Sequence, residues 1–264
     1  FLQLWPTPNE QFHVPTSQGE TFVIACGDER KPPLLLLHGA LVNSAMWLGD
    51  IALWAKSFRI YAVDIIGEPG LSAPSRPPFD ADAYALWLSD VLRGLQINRF
   101  SVVGISLGGW LALDYATRNP ESVARMVLVC PSGVGRQKIG VLFKVVLLSL
   151  FGKWGKQKLR AAILGAVTSD ESPAQRKFWD FLALLQESVR PRMDRLPIFT
   201  DESLARLSMP VLAIVGGKDA LLDSHETKRR IEKLPGGEVL FYDDAGHFIP
   251  DQGHAIAAFL DGLR

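Results

Sequence analysis

Residues 100–120 read FSVVGISLGGWLALDYATRNP, and two different patterns meet inside this stretch. Phe100–Ile105 is an apolar run without alternation, as in a strand buried on both faces. Leu107–Arg118 reads as a helix that stops at Asn119-Pro120, because proline disfavours helical geometry in the residue before it. Between them lies Gly104-Ile105-Ser106-Leu107-Gly108. Glycine two residues before and two after a serine marks a strained strand-to-helix turn. The turn packs so tightly that side chains at the two glycine positions would collide across it. Ser106 is therefore the candidate nucleophile; the plainer alternative is a glycine-rich turn needed only for packing.

The same alternation extends outward in both directions. Strands are expected at Thr21–Cys26, Leu34–Leu37, Arg59–Val63, Arg125–Val129, Val211–Val215 and Glu238–Tyr242. Helices are expected at Asp80–Leu95, Asp223–Lys233 and His247–Leu263. The Asp80–Leu95 pattern rests on Tyr84, Leu88, Val91, Leu92 and Leu95 at spacings of three and four. Alternating strands and helices predict an α/β fold with a mostly parallel central sheet and helices on both faces. Residues 134–207 break the rhythm with helical patterns only: Ile139–Phe151, Gln157–Val167, Ala174–Val189 and a short piece at Asp201–Leu207. This block reads as a helical cap (lid) inserted at 134–207 into a core formed by 1–133 and 208–264.

Composition narrows the classes. The 264 residues are 48% hydrophobic and 21% charged, as in an ordinary globular protein and unlike a disordered or fibrous chain. The 28 Lys+Arg balance the 28 Asp+Glu, which argues against a nucleic-acid partner. The balance is uneven, with +6 in residues 133–207 and −3 on each flank. A basic cap of this kind suits anionic substrates or a membrane surface, and equally a solvated face. The two cysteines, Cys26 and Cys130, end strand-like runs and make neither a disulfide framework nor a CxxC metal pattern. They read as reduced, buried small residues. The longest apolar stretch, Ile139–Phe151, is too short to span a bilayer, so no stable membrane insertion is expected. The opening FLQLWPTPNEQ has no basic region followed by an apolar core, so no signal peptide is read there.

A serine hydroxyl needs a base, and the base needs an orienting partner. Of the 5 histidines, His247 stands best, in Asp244-Ala245-Gly246-His247-Phe248 just after the last strand. His225 and His254 read as solvated helix positions, and His13 has no evident partner. Asp219 follows the Val211–Val215 strand and is the preferred carboxylate. Asp223 reads as a helix N-cap with Glu226 at the third helical position. Asp243 and Asp244 stay open as alternatives. An oxyanion needs backbone donors. The N–H of Leu107 at the helix start and the N–H of Ala40, in His38-Gly39-Ala40 after Leu34–Leu37, are the candidates. His38 reads as a brace for that loop rather than a base.

Taken together, these residues resemble the α/β-hydrolase superfamily over nearly the whole chain. The matching pieces are His38-Gly39 after a strand; Asp64-Ile65-Ile66-Gly67 with Gly70 and Ser72; the turn at Ser106; Asp219; and Gly246-His247. The resemblance implies a nucleophile elbow at Ser106, a base at His247, its orienter at Asp219, and a turn anchor at Asp64. Serine in place of aspartate disfavours dehalogenase and epoxide-hydrolase chemistry, and His38-Gly39-Ala40-Leu41 is not the HGGG loop of some esterases. The expectation is a cytoplasmic, cofactor-free and metal-free serine hydrolase, monomeric or homodimeric. It would be a carboxylesterase acting on small or medium apolar esters. Thioester, lactone, carbon–carbon and perhydrolysis chemistry, a non-catalytic receptor, or a membrane-held lipase are the alternatives. Phe143, Leu147, Phe151, Trp154, Phe178, Trp179, Phe181, Leu182 and Leu185 in the cap, with Trp110, either line an apolar pocket or pack the cap onto the core.

Overall fold

Leu34–Leu37 shows why the strands lack alternation. Leu35 and Leu37 enter one hydrophobic core and Leu34 and Leu36 the other, and all four are fully buried. A strand covered on both faces has no wet side on which to place polar residues. The same split divides Val102 from Val103 and Val211 and Ala213 from Leu212 and Ile214.

The computed structural model describes residues 2–138, 180–185, 189–192 and 194–263. Its strands are β1 (Asn9–Thr16), β2 (Gly19–Cys26), β3 (Pro33–Leu37), β4 (Arg59–Val63), β5 (Phe100–Ile105), β6 (Val123–Val129), β7 (Val211–Gly216) and β8 (Gly237–Tyr242). They form an 8-stranded sheet in the order β1-β2-β4-β3-β5-β6-β7-β8. β1 and β2 are antiparallel, as are β2 and β4, and every pair from β4 through β3 to β8 is parallel. The helices are α1 (Ile51–Trp54), α2 (Ala83–Gly94), α3 (Leu107–Ala116), α4 (Asp201–Leu204), α5 (Ser224–Ile231) and α6 (Gly253–Leu260). Side chains of α2, α3 and α5 fill one core, and those of α1 and α6 fill the other. The chain is thus an α/β fold with a mostly parallel sheet covered by helices on both faces, as expected from the alternation.

Three expectations shift. The strand β1 was not anticipated: its sequence NEQFHVPT contains proline and a single buried residue, Val14, as an edge strand with a wet face does. The last helix starts at Gly253 rather than His247, because Pro250 and Asp251, the latter at φ 60°, interrupt it. The helix expected at Asp201–Leu207 closes after Leu204. Residues 180–185 are helical, within the expected Ala174–Val189. The patterns at Ile139–Phe151 and Gln157–Val167 lie outside the described residues, as do Phe143, Leu147, Phe151, Trp154, Phe178 and Trp179. The segment entering that block stays against the core: Gln137 bridges to Leu222, and the Lys138 N–H donates to the Leu221 carbonyl at 2.8 Å.

Candidate active site

Strand order decides where the chemistry can gather. β3 lies between β4 and β5, so the chain leaves β3 toward one side of the sheet and later builds outward from β5 toward the other. Loops that follow neighbouring parallel strands at such a reversal diverge and leave a crevice at the carboxyl edge. Ala40 follows β3, Ser106 follows β5, Asp219 follows β7 and His247 follows β8, so all stand at this one edge.

Ser106 sits between β5 and α3 at φ 51° and ψ −107°, a conformation an L-residue adopts only when its surroundings impose it. Three backbone bonds do so. Its N–H donates to the Val129 carbonyl at 3.0 Å, and its carbonyl accepts from Trp110 and Ser132 N–H, each at 3.1 Å. The flanking glycines are required by close approach. A Cβ on Gly104 would stand 2.5 Å from the Gly108 carbonyl, and one on Gly108 would strike the Leu37 and His38 carbonyls. Among the described residues Ser106 Oγ makes no hydrogen bond, and the residue is partly exposed. A hydroxyl at such an elbow is open to a substrate.

Asp219 and His247 form a pair. His247 Nδ1 lies 2.8 Å from Asp219 Oδ2. A carboxylate only accepts, so Nδ1 carries the proton and donates, which leaves Nε2 of the neutral ring as a base. Asp219 Oδ1 accepts from the N–H groups of Leu221 at 2.7 Å and Leu222 at 3.1 Å. Burial pushes the Asp219 carboxyl up, but His247 and these two N–H groups outweigh it, and the net is below the ordinary carboxylate value. Asp219 is therefore a fixed anion, 1% exposed, behind a partly exposed imidazole. Asp243 and Asp244 are exposed, with Asp244 paired to Lys218 at 2.6 Å. Asp223 caps α5 by accepting from Glu226 N–H at 2.9 Å.

The loop after β3 is laid against the nucleophile: a Cβ on Gly39 would stand 3.8 Å from that of Ser106. His38 is its brace. Nε2 accepts from Ile65 N–H at 2.9 Å, so Nδ1 is the protonated nitrogen and donates to the Gly39 carbonyl at 2.7 Å. Full burial pushes His38 below the ordinary imidazole value, against the opposing charge of Asp64, and keeps it neutral. Asp64 anchors two loops, with Oδ1 accepting from Ser44 N–H at 2.9 Å and Oδ2 from Leu71 N–H at 3.0 Å. Among the described residues neither Ala40 N–H nor Leu107 N–H donates to another protein group, which suits both to receiving a ligand oxygen.

The remaining candidates fall elsewhere. His13 lies on β1, its Nε2 3.2 Å from the Leu71 carbonyl. His225 and His254 are exposed on α5 and α6. Trp110 is buried and donates from Nε1 to the Pro197 carbonyl at 2.9 Å, packed among Phe79, Tyr84 and Phe199. Leu182 is buried, and Phe181 and Leu185 are partly so. Cys26 and Cys130 are free and buried.

Sequence reasoning missed two neighbours of the pair. The donor atoms of Cys130, Asp219 and His247 all lie within 4.8 Å of one another. Burial first, and then the charge of Asp219, pushes the Cys130 thiol well above its ordinary range. His247 Nδ1 is already engaged by Asp219 Oδ2 at 2.8 Å, the arrangement of an acid–base pair. Lys138 Nζ donates to the backbone carbonyl of Asp219 at 2.7 Å, tying the entry to residues 139–179 to the Asp219 loop. Neither has a local signal, because each depends on which strand ends β6 and β7 bring together.

A buried mostly parallel sheet, a serine elbow and an Asp–His pair at its carboxyl edge together define a hydrolase class. The family model described as "Alpha/beta hydrolase family" matches residues 34–259, and the chain belongs to that family. Among its relatives is carboxylesterase YbfK of Bacillus subtilis, 33% identical over 94% of this chain and 85% of the relative. The uncharacterized carboxylesterase nap of the same organism is 33% identical over 94% of this chain and 84% of its own length. The crystal structure of the Bacillus subtilis naproxen esterase (carboxylesterase NP) superposes with a TM-score of 0.83 at 31% identity, covering 99% of this chain and 93% of that one.

Proposed function

We propose that the protein is a serine carboxylesterase whose triad is Ser106, His247 and Asp219. The observation that carries the reading is the 2.8 Å Asp219–His247 bond at the sheet edge where Ser106 stands on its strained elbow. Relatives named carboxylesterase, covering most of both chains, support the same reaction. Ser106 Oγ attacks the ester carbonyl while His247 Nε2 takes its proton. The N–H groups of Ala40 and Leu107 receive the developing oxyanion. The intermediate collapses, and the imidazolium returns the proton to the leaving alcohol. Water then repeats the sequence and frees the acid. Asp219 holds His247 in the tautomer that leaves Nε2 unprotonated.

Residues 1–133 and 208–264 would form the catalytic core and 134–207 the cap above it, with a small or medium apolar ester as substrate. A monomer or homodimer in the cytoplasm completes the reading, and the two free, buried thiols fit a reducing compartment. No helix among the described residues is long and apolar enough to cross a membrane.

Labelling of the intact protein with a fluorophosphonate, followed by peptide mass mapping, tests the assignment together with p-nitrophenyl ester turnover. Labelling at Ser106 is expected, with turnover lost in Ser106→Ala by at least about 10⁴-fold. Turnover retained in that variant would overturn it.

A further inference from the structure

Between β3 and Ser44 the oxyanion loop has no regular secondary structure, so the direction of each N–H depends on what holds the loop from outside. Two of its ties are the His38–Ile65 and Ser44–Asp64 bonds. The third falls next to the expected donor. Leu41, the residue after Ala40, is at φ 61°, in the left-handed region that a leucine seldom occupies. Its N–H donates to Glu68 Oε2 at 2.6 Å, a short bond for an amide donor.

Glu68 is itself built in. It ends a turn in which its N–H donates to the Ile65 carbonyl at 3.2 Å. Preceding it, Gly67 at φ 74° donates to the Ala73 carbonyl and accepts from Arg76 Nε at 2.8 Å. Arg76 reaches on to the Arg190 carbonyl at 2.9 Å. Arg192 lies over the Phe79 ring and donates to the Pro77 carbonyl at 2.7 Å and the Tyr84 hydroxyl at 2.9 Å. Burial pushes the Glu68 carboxyl above its ordinary value, while the Leu41 N–H and the charges of Arg76 and Arg192 oppose that rise. A carboxylate beside a site that receives negative charge works against catalysis unless it is held for another purpose and countered by cations. Both conditions are met here.

We propose that Glu68 is a positioning residue for the oxyanion hole: by holding the Ala40–Leu41 peptide it fixes the backbone angles of Ala40, and through them the preceding Gly39–Ala40 peptide, whose Ala40 N–H then faces the substrate oxygen. This rests on the assignment of Ser106 and Ala40 made above. Without an acceptor at Glu68 the Leu41 N–H loses its partner, and the two remaining ties hold only the ends of the loop, not the leucine at positive φ. The peptide then relaxes and the neighbouring N–H swings away. The function needed is acceptance of one hydrogen bond, not charge, so a glutamine, whose amide oxygen also accepts, is expected to serve.

The experiment compares Glu68→Ala, Glu68→Gln and Glu68→Asp with the wild-type chain by p-nitrophenyl ester kinetics, fluorophosphonate inactivation rate and thermal unfolding. Losing an oxyanion donor outright typically lowers kcat by about 10²–10³-fold, so a mis-aimed one is expected to cost on the order of 10- to 100-fold. Glu68→Ala is expected to show that loss in kcat with KM within about twofold, and an equal fall in inactivation rate, since both reactions load the same hole. Glu68→Gln is expected to stay within about threefold of wild type in kcat. Glu68→Asp, one methylene too short to reach, is expected to follow alanine and serves if the alanine variant does not fold. An unchanged kcat in both the alanine and aspartate variants would overturn the proposal, as would a loss confined to KM, or a glutamine variant as slow as alanine. Wild-type protein that is not labelled at Ser106 would defeat the esterase reading itself, whereas labelled wild type with equally fast Glu68→Ala defeats this inference alone.

Discussion

The interior of the sheet and its carboxyl edge obey different rules. Within β3, β5, β6 and β7 nearly every side chain is buried and apolar, in regular extended backbone. One step past the strand ends this changes. Of the five non-glycine residues at positive φ among the described residues, Leu41, Ser106 and Cys130 stand just after β3, β5 and β6. The buried groups there are polar or ionisable: His38, Asp64, Cys130 and Asp219. The interior minimises its own free energy, while the edge holds conformations and charges that would relax if left alone. It is kept in place because two hydrophobic cores clamp the strands on either face. Strain concentrated where a well-packed scaffold can impose it is how a serine hydroxyl and an oriented imidazole are presented together.

This contrast makes predictions that differ in size and kind. The largest lies at the edge and touches activity alone. Asp219→Asn keeps the shape but lets the amide donate toward His247 and favour the wrong tautomer, so kcat is expected to fall by about 10⁴-fold with little change in thermal midpoint. Steady-state kinetics beside differential scanning calorimetry separates the two, and a large loss of stability would show that Asp219 belongs to the scaffold. Next comes the junction between the regions. Gly108→Ala drives a Cβ into the backbone of Leu37 and His38, where no flexible side chain can yield. A loss of roughly 3 kcal/mol or more is expected in urea unfolding. A variant as stable as wild type would mean that α3 can back away from β3. The smallest effect has the opposite sign. Ser106→Gly removes the penalty of φ 51° that Ser106→Ala retains. The glycine variant is expected to be the more stable of the two inactive proteins by about 1 kcal/mol. Equal stabilities would mean that the elbow carries no strain.

The order and identity of the central strands were legible because a double-sided core leaves an unbroken apolar run, a pattern set by solvent exclusion alone. The elbow was legible for a local reason: Gly104 and Gly108 lie within four residues of one another, and the collision they avoid is decided by that short segment. β1 escaped notice because an edge strand needs only Val14 inside and tolerates His13 and Pro15 outside. The last helix starts later than the apolar pattern implies, because Phe248 and Ile249 extend that pattern toward His247 while Pro250 and Asp251 break the backbone before Gly253.

From the sequence alone came the α/β alternation, the serine between its glycines, and the order in which a serine, an aspartate and a histidine follow strand ends. These are short-range matters of sterics and hydrophobic period. Tertiary structure pairs Asp219 with His247 and leaves Asp243 and Asp244 in solvent. It also set Cys130 beside the pair, and joined Glu68 to Leu41 across 27 residues of chain. Those contacts depend on which strands become neighbours, and that is decided when the whole sheet buries its two faces at once.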